Sequence, residues 1–262
     1  MITIKNYVRA KSLDEAWELN QKRTNRIIGG MLWLRLGSGS INTAIDLCDL
    51  GLDKIEQTED AFYIGSMVTL RDLEIHAGLN EYTSNAVADA LCSIVGVQFR
   101  NMATVGGSIW GRFGFSDVLT VFMALDTYVE LYKGGIVPLE EFAKRKADND
   151  VLVRLIVKKT PCSIAYTSMR NQKTDFPVIT CAVSNVGTEY RAVIGARPFR
   201  AITVRDDFGT LASGITKTSA TEFAEKVAEI VPTFSNMRAS AKYRTHLIKV
   251  LVERSVGKIG GV

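Results

Sequence analysis

The sequence predicts an α+β protein. Three observations carry that prediction: short apolar runs broken by glycine pairs recur along the chain, capping signatures open amphipathic stretches between them, and the last third sets strands ahead of helices. Of the 262 residues, 47% are hydrophobic and 23% charged, an ordinary globular balance that excludes a disordered chain, a collagen-like repeat and a coiled-coil rod. A formal net charge of +4 is too small to imply a nucleic-acid partner without a localised basic patch. The cysteines Cys48, Cys92, Cys162 and Cys181 are widely spaced with no C-x-x-C pair, and only His76 and His246 could join them. That spacing argues against a zinc site or a cysteine-ligated iron–sulfur cluster within this chain. The amino terminus alternates like a strand rather than running apolar like a signal peptide, and no apolar run nears the ~20 residues of a membrane span. The expected compartment is the reducing cytoplasm.

Taken in order, the opening residues Met1 to Tyr7 read as a strand, and Ser12-Leu-Asp-Glu15 has the spacing of a capping box for a helix ending near Thr24-Asn25. Arg26 to Ile28 is a short β-rich run that breaks at Gly29-Gly30, and Ile41 to Leu47 follows the Gly37-Ser-Gly39 turn as a further strand. Tyr63-Ile-Gly65 predicts a strand and Thr69-Leu-Arg-Asp72 a capped helix start. Val87, Leu91, Ile94 and Val95 make one apolar face of a helix expected over 84–95. Arg100 to Ile109 reads as a loop, and Ser116-Asp117 caps an apolar helix to about Leu125. Tyr128 to Tyr132 and Ile136 to Pro138 flank Lys133-Gly-Gly135 as a hairpin, followed by a strand over 151–157. Strands are then expected over 163–169, 178–185 and 190–194. Helices are expected over 205–211, over 219–230 with a Ser219-x-x-Glu222 cap, and over 240–254.

Two glycine segments are the candidates for chemistry. Ile28-Gly29-Gly30-Met31 is a diglycine just past a strand, and Ala103-Thr-Val-Gly-Gly-Ser-Ile109 surrounds two glycines with the hydroxyls of Thr104 and Ser108. Glycine lets backbone N–H groups approach an anion because no Cβ blocks a phosphate, so either segment could cradle one; either is also compatible with a plain turn. Gly37-x-Gly39 is no dinucleotide fingerprint, since Asn42 takes the place of its third glycine, and no Walker A loop is present. Only two histidines are present, neither beside a serine or cysteine in a nucleophile elbow, which argues against a hydrolase triad. His76 is expected to cap or pack beside its helix. Arg238, Lys242, Arg244, His246, Lys249 and Arg254 form a basic helix face that is solvated or docks an acidic partner.

Gln98-Phe-Arg-Asn-Met-Ala-Thr-Val-Gly-Gly-Ser-Ile109, Ser116-Asp117 and Ala124-Leu-Asp126 together resemble the FAD-binding subunit of the molybdenum hydroxylases, the family of xanthine dehydrogenase and molybdenum-type carbon monoxide dehydrogenase. Gly29-Gly30, Tyr63-Ile-Gly65 with Val68-Thr69, and the ending Arg238 to Arg244 with Val250 to Arg254 extend the likeness over nearly the whole chain. The resemblance implies two FAD-binding subdomains of the vanillyl-alcohol-oxidase type, 1–56 and 57–159, and a C-terminal α+β domain, 160–262. It implies FAD held by Ile28, Gly29, Gly30, Met31 and Leu32 in a first segment and by Thr104, Val105, Gly106, Gly107 and Ser108 in a second, with Ile94, Asp117 and Leu152 as further contacts. It also implies partners, a [2Fe–2S] subunit and a molybdopterin subunit, with NAD or another carrier as electron acceptor and no catalytic acid or base in this chain. Met31, Ser108 and Thr167 depart from the family pattern, and the segment between Phe142 and Val151 is short for it. A scaffold subunit that has lost FAD and a stand-alone flavin oxidase are the alternative readings, the latter disfavoured because about 100 residues after Pro161 hardly provide a substrate domain.

Overall fold

Strand β1 (Ile2–Arg9) is followed by α1 (Leu13–Asn20), β2 (Arg26–Ile28), β3 (Gly39–Asp46), β4 (Ile55–Gln57) and β5 (Ala61–Gly65). Next come α2 (Leu70–Ile75), α3 (Ala77–Tyr82), α4 (Ala86–Leu91), α5 (Val97–Arg100), α6 (Val105–Trp110) and α7 (Asp117–Met123). The chain continues through β6 (Thr127–Leu131), β7 (Gly135–Pro138), α8 (Leu139–Lys144) and β8 (Leu152–Lys158) to β9 (Cys162–Arg170), β10 (Pro177–Val186), β11 (Glu189–Gly195) and β12 (Ile202–Arg205). It closes with α9 (Lys217–Ile230) and α10 (Ala241–Gly260). The structure, a computed structural model, describes residues 1–262. No helix is long and apolar enough to cross a membrane.

The chain forms two compact units, interleaved in sequence. The first comprises Met1–Leu73, Val97–Gly111 and Thr127–Val157. It contains a sheet in the order β1-β3-β2, whose neighbours run parallel, and a larger one in the order β4-β5-β8-β6-β7. The β-α-β-β reading of the opening residues holds. A parallel pair needs a crossover, and α1 supplies it, laying Ala16 into a core with Ala10, Ile45, Leu47 and Val151. Ser12 caps α1 by accepting the Glu15 N–H at 3.1 Å, and the Glu15 carboxylate takes the Lys11 N–H. The helix ends at Asn20 rather than near Thr24-Asn25, where the side chains of Asn20 and Gln21 both donate to the Asn149 carbonyl.

The second unit comprises Glu74–Gly96, Arg112–Asp126 and Lys158–Val262. Its sheet is antiparallel, in the order β12-β11-β10-β9, and α9 and α10 bury Phe223, Val227, Ile248 and Val252 against Val183 and Ile194. β10 is buried along nearly all its length, so it reads as a continuous apolar run instead of an alternating one.

Several expectations need correction. The helix expected over 84–95 is only the short α4: Ser84 and Asn85 both adopt positive φ (47° and 67°) and separate it from α3, and it ends at Leu91, before the exposed Val95 (φ 51°). His76 does cap, its Nδ1 accepting the Leu79 N–H at 3.1 Å. The segment over 100–109 is no loop: it holds the end of α5 and most of α6. The helix expected over 205–211 is β12 followed by a turn, in which Asp206 accepts the N–H groups of Thr210 and Leu211 at 3.0 and 2.7 Å and competes with helix formation. The α9 cap is Thr216, with Ser219 as the third residue of the capping box. Arg244 leaves the basic face altogether. It is fully buried, and its guanidinium donates to the carbonyls of Val178, Phe234 and Ala239 and to Asn236 Oδ1 at 2.5–2.9 Å, pinning 234–239 to α10.

Candidate functional site

Both glycine segments belong to the first unit, and they meet. β2 delivers Gly29 and Gly30 at its carboxyl end. A Cβ on Gly30 would stand 1.7 Å from the Met102 carbonyl oxygen, and one on Gly29 would stand 2.6 Å from Thr104 Oγ1. Only glycine allows that approach. Met31 then turns through positive φ (57°), unusual for a side chain with a Cβ, and Leu32 is buried.

The second segment starts a helix, and most of its amides are already satisfied. Thr104 caps α6, its Oγ1 accepting the Gly107 N–H at 3.2 Å, while the N–H of Val105 bonds Val68 O at 2.9 Å and that of Gly106 bonds Ser66 O at 2.8 Å. Ser108 Oγ donates to the Thr104 carbonyl at 2.9 Å. The open nest expected of this segment is therefore absent at Val105, Gly106 and Gly107, because the chain itself supplies the acceptors. Gly106 is a glycine for packing, since a Cβ there would lie 2.6 Å from Ser66 O. Gly107 is exposed and looser: a Cβ would meet nothing nearer than Thr104 Oγ1 at 3.2 Å.

The two segments wall a cavity of about 530 Å³, within the range of small-molecule and cofactor pockets. Of the residues predicted from the sequence, Ile28, Gly29, Thr104, Gly106, Gly107 and Leu152 line it. Gly30 is packed on Met102, Val105 is fully buried, and Met31 and Ser108 are half-buried. Ser66, Asn20, Arg23, Arg26, Trp110 and the stretch 147–151 also line the cavity. Of these, only Ser66 had a sequence signal, its place directly after Tyr63-Ile-Gly65. Asn20 reaches the wall because its side-chain amide donates to Asn149 O and Asp150 O at 2.8 and 3.3 Å, a contact across 129 residues that no local pattern announces. The rim carries both signs of charge. The Asp150 carboxylate accepts the N–H groups of Lys133 and Gly134 at 3.1 and 2.7 Å, while Arg23 and Arg26 are exposed.

Ile94 and Asp117 lie in the second unit. Asp117 is the first residue of α7, but Ser116 caps that helix, taking the Leu119 N–H at 3.0 Å. The Asp117 side chain is 5% exposed and accepts hydrogen bonds from Tyr166 Oη and from the Arg170 guanidinium. Burial pushes its carboxyl above the ordinary value, against the pull of Arg170 and Tyr166. Arg170 also donates to the Asp175 carbonyl at 2.6 Å.

A family model described as the FAD binding domain in molybdopterin dehydrogenase matches residues 2–159. This chain belongs to that family. Membership identifies FAD as the cofactor and the chain as the flavin-binding part of an oxidoreductase. The chain is 25% identical over 254 residues to the uncharacterized protein YgfM of Escherichia coli K12, covering 95% of this chain and 94% of that one. Its fold is similar to a carbon monoxide dehydrogenase from Hydrogenophaga pseudoflava that lacks the Mo-pyranopterin moiety of its cofactor, with TM-score 0.83, 21% identity and 98% and 96% of the two chains covered. It is also similar to quinoline 2-oxidoreductase from Pseudomonas putida 86, with TM-score 0.82, 20% identity and the same 98% and 96%. The residues present fit the FAD that the family binds: the cavity is large enough for a nucleotide portion, its floor is glycine backbone, and one buried wall hydroxyl, Ser66 Oγ, has no partner within the chain.

Proposed function

We propose that this chain is the FAD subunit of a multi-subunit molybdenum hydroxylase of the xanthine dehydrogenase type. In that assembly, substrate electrons arrive from a molybdopterin subunit through the [2Fe–2S] clusters of a second subunit and leave to NAD or another acceptor. The observation that carries this reading is the glycine-walled cavity in the unit that the family model spans. FAD, when bound, supplies the redox chemistry that no side chain here can.

The residues of this chain bind and orient. With the amides of Val105, Gly106 and Gly107 engaged internally, the backbone of Gly29, Gly30, Met31 and Leu32 is the better candidate for holding the pyrophosphate. Thr104, Gly106, Gly107 and Leu152 shape the wall, and Val105 and Ser108 stand as contacts on the strength of the resemblance. Ile94 and Asp117 stand as further contacts on the strength of the resemblance. The reading places the assembly in the cytoplasm. Of the division into 1–56, 57–159 and 160–262, the first span is supported by the β1-β3-β2 sheet and the third by the β9–β12 sheet with α9 and α10 and by a family match that ends at residue 159, while Glu74–Gly96 and Arg112–Asp126 of the middle span group with the third.

Mild affinity purification from the native host tests the proposal. Co-elution of two further chains carrying iron and molybdenum is the expected result, and a free monomer with full substrate-oxidising activity would contradict it.

A further inference from the structure

Ser66 follows β5 directly and is held on both sides by its backbone. Its N–H donates to the Val153 carbonyl at 2.9 Å and its own carbonyl accepts the Gly106 N–H at 2.8 Å. The residue is 4% exposed and lines the glycine-walled cavity beside Gly29, Thr104, Gly106 and Gly107. Its neighbours leave no slack: a Cβ on Gly106 would lie 2.7 Å from Ser66 Cβ, and one on Gly65 would lie 2.0 Å from the Leu52 carbonyl oxygen. Amid that packing, Ser66 Oγ is shielded from water and meets no hydrogen-bond partner in the chain. A buried hydroxyl without a partner is a standing cost, and alanine would fill the same wall without it.

We infer that Ser66 is a cofactor-positioning residue whose hydroxyl donates to a pyrophosphate oxygen of FAD. The inference depends on the chain binding FAD and adds a ligand that lies outside both glycine segments. Burial is then part of the function. A single-bond rotation about χ1 swings Oγ along the cavity wall while the pinned backbone stays in place, and an anionic oxygen there supplies the acceptor that the chain withholds. The hydroxyl distinguishes ligands that carry a phosphate from those that do not.

The test compares the full-length chain with its Ser66→Ala variant in titrations with FAD, ADP and riboflavin, alongside thermal unfolding of both apo proteins. The expected result has opposite signs in two readouts. The variant binds FAD and ADP about tenfold more weakly and riboflavin unchanged. Its apo form melts roughly 1–4 °C higher because the unpartnered hydroxyl is gone. Equal FAD affinity in the two proteins overturns the inference while leaving FAD binding intact, and so does a loss that extends equally to riboflavin. A wild-type chain that binds no FAD overturns the cofactor reading itself, and the inference with it.

Discussion

The glycine cradle of the first unit and the Asp117 cluster of the second are built on opposite terms. In the cradle, residues matter for what they lack. Gly29, Gly30 and Gly106 each sit where a Cβ would collide with a neighbouring carbonyl or hydroxyl, and the absent atoms are what let these segments pack so closely. In the cluster, residues matter for what they carry. Asp117 holds Tyr166 and Arg170 through its carboxylate, and Arg170 in turn reaches the Asp175 carbonyl. One motif, read from the diglycine of α6 through Ser116-Asp117, thus contributes shape at one end and bonded charge at the other.

Substitutions sharpen that contrast. The largest loss of stability is expected at Gly30, where the Cβ of Gly30→Ala would fall 1.7 Å from backbone and neither segment can yield cheaply. A cost of about 4 kcal/mol or more, with FAD binding lost together with the fold of the first unit, is the expected outcome of denaturant unfolding. Asp117→Ala should cost about 3–5 kcal/mol for a different reason, because it leaves the Arg170 guanidinium, with a side chain only 7% exposed, buried without its counter-charge. A destabilisation under about 1 kcal/mol would show that the ion pair is not holding the second unit together. Gly106→Ala sets a helix-propensity gain of up to about 1 kcal/mol against the contact with Ser66 O at 2.6 Å, and a net loss of about 1–2 kcal/mol is expected in the same assay. Were Gly106→Ala neutral, its role in packing α6 against Ser66 would be refuted. Gly107 has room for a side chain, so Gly107→Val should change stability by no more than about 1 kcal/mol.

Legibility in the sequence followed the range of the interactions. Caps spaced within one turn were readable: Ser12 for α1 and Ser116 for α7 both accept the N–H three residues on. So were the strands β9, β10 and β11, each of which carries a short apolar stretch, such as Ile164-Ala-Tyr166 in β9 and Ala192-Val-Ile194 in β11. α6 was not, because Gly106 and Gly107 are poor helix formers, and the Val105 and Gly106 N–H groups of its first turn are taken by the Val68 and Ser66 carbonyls, distant in sequence. Arg244 was misread for a related reason. Its helical spacing matches a basic face, yet the carbonyls that bury it come from 178, 234 and 239. At the cavity, the glycine segments were visible as glycines, whereas the wall from Asn20, Arg23 and 147–151 depends on tertiary contacts alone.

The central claim is that this chain binds FAD in the cavity that its two glycine segments enclose. A fluorescence-quenching titration of the full chain with FAD, run beside Gly107→Val and with far-UV circular dichroism and melting recorded for both, tests it most directly. The account predicts one FAD per wild-type chain, and in the variant an affinity about ten- to several-hundred-fold weaker with the fold retained, because the branched side chain stands on the cavity wall that Gly107 lines and takes space from the cofactor. A folded Gly107→Val chain that takes up one FAD at wild-type affinity would contradict it.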